Sequence, residues 1–417
     1  MISVPILLLA KKYTDTGLGR IKARDTAVFN RYLRRPLVVL GDFETAETWS
    51  RLGGSAGDVA ADTVNFKSGT QGLMIRSTGG ATTYAQRIPA APLNLTGIAY
   101  LSLWVYTATP GPGVFDLMRL YLYGSDPNNW NTITRLVSLA QSQWSQDGWF
   151  RCRVSWSDLT QSGTPNIAAI DKIVFEVKAV AGTTASITVD RLVAVPAATT
   201  RGKVTLRFDD GLASQFLLGR PILDKLSYRG VVAVTPFHIG TTNYMTLAQL
   251  KTLRDAGWDI VNHTWDHTAL THATADQART AILRGANWLV SNGFDGGRFL
   301  ALPGHLTNPT VQAVCRELTV LTASGPLFYE TLPPWDPMAL RWLAGDNIVI
   351  ATLKAYIDKC EANKDWITIL FHTVDSAGGA GKVTPAVLTE LVEYIATKAV
   401  DVVTWADVVD GNPVAIT

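Results

Sequence analysis

The sequence predicts a multidomain protein in which an all-β domain precedes an α/β domain. Between residues 37 and 197, short apolar runs with two-residue alternation are separated by Gly, Pro, Asn and Asp, a pattern typical of a β-sandwich. From about residue 198 onward, strand-length apolar runs alternate with longer segments of helical periodicity, among them Ala213–Leu226 and Ala275–Asn292. This β-α-β-α order predicts a parallel sheet with helices outside it, either a barrel or an open sheet.

The predicted sandwich begins with Gly41-Asp-Phe-Glu-Thr and closes with Val189-Asp-Arg-Leu-Val-Ala-Val, a pattern that resembles jelly-roll carbohydrate-binding modules. Asp42, Glu44 and Asp190 supply hard oxygen atoms, so they are candidate ligands of a structural Ca²⁺ ion. The predicted strands are Leu37–Leu40, Gly72–Arg76, Tyr100–Tyr106, Leu120–Tyr123, Lys172–Val177 and Ser186–Asp190.

Six tryptophans fall in the predicted sandwich. Sugar rings stack on exposed aromatic faces, so one or two of these side chains could form a binding platform, whereas most are expected in the core. They are Trp49, Trp104, Trp130, Trp144, Trp149 and Trp156.

Residues 1–36 precede the sandwich and carry scattered Arg and Lys. They are interpreted either as an attachment segment or as a flexible leader. The opening apolar run is short, and Lys11 and Lys12 follow it rather than precede it, so no signal peptide is predicted.

Net charge and hydropathy argue against a nucleic-acid partner and against a membrane span. The 417 residues are 47% hydrophobic and 17% charged, with a net charge of +2, so bulk electrostatics give no reason to expect a nucleic-acid partner. No stretch approaches the roughly 18 consecutive apolar residues of a transmembrane helix, so no membrane span is predicted.

Asp209 and Asp210 directly follow the first predicted strand of the α/β part, Val204–Phe208. Two adjacent carboxylates repel each other unless a cation lies near them. Because Asp-Gly is also ordinary turn chemistry, the pair needs a second feature before it indicates a site.

The second feature is a pair of histidines after the strand Trp258–Val261. His263 and His267 are four residues apart, a spacing that on a helical turn puts both imidazoles on one face, where they can chelate one ion. A carboxylate from another strand end completes a two-His-one-carboxylate set, as expected for zinc or another divalent metal. His372 directly follows the strand Trp366–Phe371, so it is expected at the same edge of the sheet as the two histidines.

These motifs occur in a recognisable order. Phe208-Asp-Asp-Gly, Asn262-His-Thr-Trp-Asp-His267, the loop Leu302-Pro-Gly304 and Leu370-Phe-His372 together resemble the polysaccharide deacetylases of the NodB-homology type, carbohydrate esterase family 4. The resemblance covers about residues 203–407 and implies a distorted (β/α) barrel with fewer than eight complete strands.

The resemblance also implies residue roles. Asp210, His263 and His267 would be the metal ligands and Asp209 the general base. His372 would be the general acid, and the backbone N–H of Gly304, beside Pro303, would stabilise the oxyanion. Leu370 would line the pocket for the acetyl methyl group.

The sequence departs from the family pattern in two places. Aligning Pro303 with the proline of the family's Arg-x-Pro-x-Gly motif puts Ala301 where the arginine that pairs with the base is expected, so Arg207 or Arg298 is the candidate replacement. The acidic residue and tryptophan that position the catalytic histidine are best matched by Asp336 and Trp335, although an ordinary Pro-rich loop fits them equally well.

The resemblance therefore predicts an enzyme that removes acetyl groups from a polysaccharide, with N-acetylglucosamine-type polymers favoured and O-acetylated xylan or exopolysaccharide as the alternative. Zn²⁺ is the expected metal, and Co²⁺ or Ni²⁺ suits the same ligands. Two alternatives remain: a non-catalytic polysaccharide-binding protein and a component of a virion tail. The protein is expected to act extracellularly or on a virion, with a homo-oligomer or a virion assembly as its candidate partners. The predicted domains are residues 1–36, 37–197 and 198–417.

Overall fold

The computed structural model describes residues 37–44, 47–53, 56–107, 114–124, 132–134, 148–156, 159–161, 166–197, 200–305, 307–325 and 337–410. The described residues form two compact units, one within 35–197 and one within 198–417. The predicted attachment segment, residues 1–36, lies outside the described residues. In the described part of the chain, no helix is long and apolar enough to cross a membrane.

The first unit is a β-sandwich of two six-stranded antiparallel sheets, with strand orders β3-β4-β12-β6-β9, where β1 also pairs with β12, and β10-β8-β7-β11-β5-β2. The strands are β1 Val38–Gly41, β2 Ser50–Arg51, β3 Asp58–Asp62, β4 Gly72–Thr78, β5 Thr82–Arg87, β6 Ile98–Thr107, β7 Phe115–Gly124, β8 Thr132–Thr134, β9 Gly148–Ser155, β10 Thr160–Gln161, β11 Ile170–Ala179 and β12 Thr184–Pro196.

Alternating side chains of these strands point into a shared apolar core. Ile75, Val105, Phe175 and Ile187 are fully or almost fully buried there, one from each of four strands. This two-residue periodicity is what allowed the sequence to predict a sandwich.

The sandwich carboxylates do not form a ligand cluster. Asp190 is buried and accepts hydrogen bonds from the backbone N–H groups of Lys67 and Ser68 at 2.6 and 2.8 Å. Glu44 accepts from Thr70, and Asp42 accepts from the backbone of Glu44. These carboxylates satisfy loop amides rather than converge on one point, so the geometry gives no support to the predicted Ca²⁺ site.

The tryptophans of the sandwich divide as follows. Trp49 and Trp156 pack against the core, as expected for most of the six. Trp104 lies beneath the Lys67 ammonium, and Trp149 contacts Tyr106. Trp130 and Trp144 lie outside the described residues.

The second unit is a parallel sheet with helices against it, which confirms the predicted fold class as a curled half-barrel. Its strand order is β17-β16-β15-β14-β13-β19-β18, with β22 also paired to β13. The strands are β13 Gly202–Phe208, β14 Val231–Val234, β15 Asp259–Asn262, β16 Gly296–Ala301, β17 Leu321–Ala323, β18 Leu343–Ala344, β19 Trp366–Phe371, and β22 Val400–Val402, with a separate pair, β20 Thr373–Val374 and β21 Lys382–Val383.

The central strands are buried along their whole length. All four residues of β14 and all six of β19 are buried, as expected for the central strands of a curled parallel sheet whose two faces are both covered. The α-helices are α1 Arg220–Asp224, α2 Leu247–Asp255, α3 Ala275–Ser291, α4 Pro309–Leu318, α5 Ile350–Asn363, α6 Pro385–Ala396 and α7 Trp405–Asp410.

Candidate functional site

The candidate site lies at one edge of the parallel sheet. Asp209 and His263 each directly follow the last residue of a strand, β13 and β15, and His372 directly follows β19. The carboxyl ends of parallel strands meet at one edge, so the topology brings these residues together although they are far apart in the sequence.

The three predicted metal ligands converge. The Nε2 atoms of His263 and His267 lie 3.5 and 3.3 Å from Oδ1 of Asp210. In the described part of the chain, this is the one group of three or more His, Cys, Asp or Glu side chains whose ligand atoms all lie within 4.8 Å of one another.

The His263 ring is fixed by a second contact. Its Nδ1 lies 2.8 Å from the carbonyl oxygen of Ala301, which requires a proton on Nδ1 and leaves the Nε2 lone pair free for a metal. Two imidazole nitrogens and one carboxylate oxygen form a donor set that fits a divalent transition metal.

The histidines meet through a loop rather than through a helical turn. Thr264 and His267 both have left-handed backbone conformations, with φ of 61° and 64°. The side-chain amide of Asn262 stabilises the loop, because Oδ1 accepts from the backbone of Thr264 and Nδ2 donates to Ile282. The four-residue spacing therefore places both ligands, but the expected helical geometry is wrong.

Arg207 lies against the predicted base. Its Nε and Nη2 atoms donate to the two carboxylate oxygens of Asp209, each at 2.8 Å, and both side chains are almost fully buried. The Nη2 atom also lies 2.6 Å from Nε2 of His305, whose ring stacks on Trp342 at a centroid distance of 4.1 Å. Position 301 is Ala rather than the arginine of the family pattern. Arg207, two residues before Asp209 in the chain, supplies the guanidinium beside the carboxylate instead.

The charge of Arg207 lowers the pKa of both of its neighbours. Burial raises the pKa of Asp209, but Arg207, together with smaller contributions from nearby histidines, outweighs burial and lowers the pKa to about 2. Burial and the same guanidinium lower the pKa of His305 to about 3, so this ring is neutral and its Nε2 can accept the Arg207 proton.

His372 has its own carboxylate partner, Asp346, which follows the two-residue strand β18. Its Nδ1 lies 2.6 Å from Oδ2 of Asp346, and its backbone N–H donates to the same carboxylate. The hydrogen bond to Asp346 raises the pKa of His372. The residues that the sequence predicts for this role, Trp335 and Asp336, lie outside the described residues.

Gln215 was not anticipated from the sequence. Its side-chain amide is buried and donates to the backbone carbonyls of Asp209 and His372, which ties the loop of the predicted base to that of the predicted acid. A lone Gln inside an apolar segment carries no sequence signal for such a contact.

Pro303 and Gly304 follow the end of β16, and Leu370 is the penultimate residue of β19, so these three predicted residues lie near the same edge. Gly304 is exposed and left-handed with φ of 64°, and Pro303 beside it is buried. Leu370 is 2% exposed and pairs with Arg207 in the β13–β19 ladder. Arg298, the other candidate base partner, instead forms an ion pair with Asp410.

Comparison with known proteins identifies a family for the part of the chain that carries most of these residues. Residues 197–323 match the family model described as polysaccharide deacetylase. The matched segment includes Asp209, Asp210, His263, His267 and Gly304. No curated protein matches the chain.

Several solved structures are similar. The family 4 esterase domain of a multidomain xylanase from the hindgut metagenome of Trinervitermes trinervoides has 16% identity, covers 52% of this chain and 94% of its own, and gives a TM-score of 0.38. A family 4 acetyl xylan esterase from Clostridium thermocellum, in complex with cobalt, has 18% identity, coverage of 51% and 93%, and a TM-score of 0.36.

A third similar structure is the family 11 carbohydrate-binding module of a cellulosomal cellulase from Clostridium thermocellum, with 14% identity, coverage of 39% and 95%, and a TM-score of 0.31. The family-model match and the ordered motifs identify the site-bearing part of the chain: it contains a polysaccharide deacetylase domain, matched over residues 197–323.

Proposed function

We propose that this enzyme is a metal-dependent hydrolase that removes acetyl groups from a polysaccharide, and that its substrates are N-acetyl groups of N-acetylglucosamine-type polymers. One observation carries the proposal. The Asp210, His263 and His267 donor set lies beside a carboxylate held by Arg207, at the edge of the sheet where a histidine held by Asp346 also lies.

A bound divalent metal would lower the pKa of water and polarise the acetyl carbonyl. Asp209 is oriented by Arg207 to accept the proton of the attacking water. His372, whose protonated form is stabilised by the hydrogen bond to Asp346, delivers a proton to the leaving nitrogen. Gly304 is an exposed residue, and its backbone N–H donates to the developing oxyanion.

Acetate release tests the proposal. Chitin oligomers, poly-N-acetylglucosamine, peptidoglycan fragments and acetylated xylan are each treated with metal-stripped and with Zn²⁺-reloaded protein. We expect Zn²⁺-dependent release from the N-acetylated polymers, and loss of nearly all release in Asp209→Asn. Reloading with Co²⁺ or Ni²⁺ should restore part of the activity, because the same ligands bind these ions.

The other outcomes have distinct meanings. Release from acetylated xylan alone would establish the O-acetyl esterase alternative. Tight binding of one metal without release from any substrate would favour a non-catalytic polysaccharide-binding role. A stable oligomer that dissociates on removal of residues 1–36 would support the virion-component alternative, and with it an extracellular or virion location.

We also propose that the sandwich holds the polymer. Sheet strands β5, β7 and β11 bring together Tyr84, Tyr121 and Arg119 around the buried carboxylate of Glu176, which accepts from Tyr84 at 3.1 Å. The Tyr123 ring lies 6.2 Å from that of Tyr121 and is buried, so it supports the Tyr121 ring from behind. Tyrosine faces framed by charged groups suit sugar rings, and Tyr121→Ala in the full chain should weaken retention on insoluble polysaccharide.

A further inference from the structure

Four aromatic rings form a row along the loop that neighbours the metal ligands. Phe237 lies 6.4 Å from Trp265 and 5.2 Å from His238, and His238 stacks on Tyr244 at 4.7 Å. Phe237 is 59% exposed, although phenylalanine is usually buried, and the other three rings are half-buried or nearly so. We call Trp265, Phe237, His238 and Tyr244 the aromatic row.

Backbone hydrogen bonds fix both ends of the aromatic row to the site. At one end, the Phe237 N–H donates to the carbonyl of Trp265, which lies between His263 and His267 in the chain, at 3.0 Å. At the other end, Tyr244 forms a β-bridge with Leu212, two residues beyond Asp210. The row therefore connects the loops that supply all three predicted metal ligands.

Trp265 also lines a cavity of about 600 Å³, within the ~300–1,000 Å³ range of ligand sites. Asp266, His272, Gln277 and Arg284 line it together with the indole ring. The Arg284 guanidinium carbon lies 4.0 Å from the centre of the Trp265 ring, a cation–π contact that holds the indole in one orientation.

Aromatic faces next to hydroxyl-binding groups match the chemistry of a pyranose. A sugar ring offers an apolar C–H face and a rim of hydroxyl groups. The aromatic row offers flat apolar surface, and the cavity offers carboxylate, imidazole, amide and guanidinium groups for the rim. One exposed Phe bordered by polar side chains is too small an apolar patch for a stable protein interface.

We propose that the aromatic row and its cavity form a polymer subsite, which binds the sugar units next to the one whose acetyl group reaches Asp210, His263 and His267. This inference rests on the proposed deacetylase function and adds that the enzyme recognises a chain rather than a single sugar. Affinity should therefore increase with the number of sugar units until the subsite is filled.

The test uses Phe237→Ala in the full-length, Zn²⁺-loaded protein, because Phe237 is exposed and is not a predicted metal ligand. Acetate release is measured on N-acetylglucosamine oligomers of two to six units, with acetylated xylo-oligomers in parallel. We expect kcat/KM to rise with oligomer length in the parent. In Phe237→Ala, KM for the longest oligomers should rise about five- to tenfold with little change in kcat, and Phe237→Tyr should recover most of the loss.

Val290→Ala is the matched control. Val290 is 39% exposed in the last turn of α3, and the topology puts that end of the helix at the opposite edge of the sheet, where β16 begins. It should behave as the parent does. Because the measured signal is acetate release, it reports on the parallel-sheet unit that carries the candidate site. Binding of sugar to the sandwich alone gives no signal.

The results separate the two proposals. Acetate release whose length dependence is the same in the parent and in Phe237→Ala would overturn the subsite and leave the deacetylase function intact. Release that does not depend on length in the parent would also overturn the subsite. No release from either oligomer series, with no binding of them to Asp209→Asn in calorimetry, would overturn both.

Discussion

Asp209 and Arg207 are a buried ion pair at the centre of the candidate site. Arg207 is fully buried and Asp209 is 1% exposed, so each charge depends on the other for its stabilisation. Removing one partner of such a pair typically costs ~3–5 kcal/mol, because the remaining charge is left uncompensated in a poorly solvated place. The pair therefore both orients the predicted base and stabilises the loop that carries it.

We expect Arg207→Ala to lower kcat by about 10²-fold or more while the Zn²⁺ affinity changes by less than about threefold. The guanidinium contacts Asp209 and His305 but none of the three metal ligands through a hydrogen bond. Steady-state kinetics and a competition titration of Zn²⁺ measure the two quantities.

Arg207→Lys is the control that keeps a charge and loses the bidentate geometry, so its kcat should lie between those of the parent and Arg207→Ala. Circular dichroism confirms that each variant is folded. Equal losses of turnover and metal affinity would contradict the assigned role.

Asp346 sets the proton affinity of His372. Its hydrogen bond raises the pKa of His372, so the ring stays protonated, and able to act as an acid, to higher pH. We expect Asp346→Asn to lower that pKa and move the alkaline limb of the kcat profile toward lower pH. Activity at pH 8 should fall more than activity at pH 6.

Asp375→Asn is a suitable comparison, since that carboxylate is partly exposed and pairs with Lys382 rather than with a predicted site residue. Its pH profile should match the parent. An unshifted profile in Asp346→Asn would mean that another group governs the alkaline limb.

Individual site residues were predictable where they sat in a motif. The spacing of His263 and His267 and the adjacent Asp209 and Asp210 are local patterns, so one sequence sufficed to bring them to attention. Asp346 is a single acidic residue after a very short strand, and only the fold places it beside His372. No local pattern could have indicated that contact.

At the scale of elements, the strongest apolar runs were the best predicted. The predicted strand Trp366–Phe371 has the same bounds in the structure, and the predicted helix Ala275–Asn292 is α3, one residue shorter. By contrast, the exposed edge strand Asp58–Asp62 was missed, because its mixed polar composition gives no clear alternation.

The first predicted helix, Ala213–Leu226, is wrong in form. The structure has a π-helical turn, Gln215–Gly219, followed by the short α1. Pro221 lacks a backbone N–H and Gly219 weakens a regular helix, so the α-helical hydrogen-bond pattern is interrupted there. The irregular turn carries Gln215, which bridges the Asp209 and His372 loops.

The start of β15 holds a carboxylate that opposes folding at neutral pH. Burial raises the pKa of Asp259 to about 6, and the neighbouring Asp407 adds to the effect. Because the folded state binds this proton more tightly than the unfolded chain does, the stability contributed by Asp259 is full below about pH 4 and is lost as the pH rises through about 6.

We therefore expect Asp259→Asn to stabilise the parallel-sheet unit by about 1–3 kcal/mol at pH 7, since an amide oxygen can still accept from the Ala406 N–H. Urea unfolding at pH 7 and pH 4 measures the gain, which should vanish at pH 4. The exposed Asp295→Asn should show neither effect. A gain of equal size at both pH values would contradict the linkage.

At the scale of the whole molecule, each unit has its own apolar core. The sandwich core is built from residues 40–194 and the largest core of the parallel-sheet unit from residues 204–400, with no residue in common. Separate cores favour separate unfolding transitions. The candidate metal ligands all belong to the second unit, so metal binding should stabilise that unit selectively.

This selectivity gives a calorimetric prediction for the full chain. At a free Zn²⁺ concentration of about 100 times the Kd, binding should stabilise the parallel-sheet unit by about 2.7 kcal/mol, which for a unit of this size raises its midpoint by roughly 5–10 °C. A chelator should reverse the shift, and the sandwich transition should not move. Asp210→Asn should respond far less to Zn²⁺, because it loses the one ligand that contacts both histidines. If both transitions rose together, or if Asp210→Asn shifted as far as the parent, the stabilising metal would have to bind somewhere other than at these three residues.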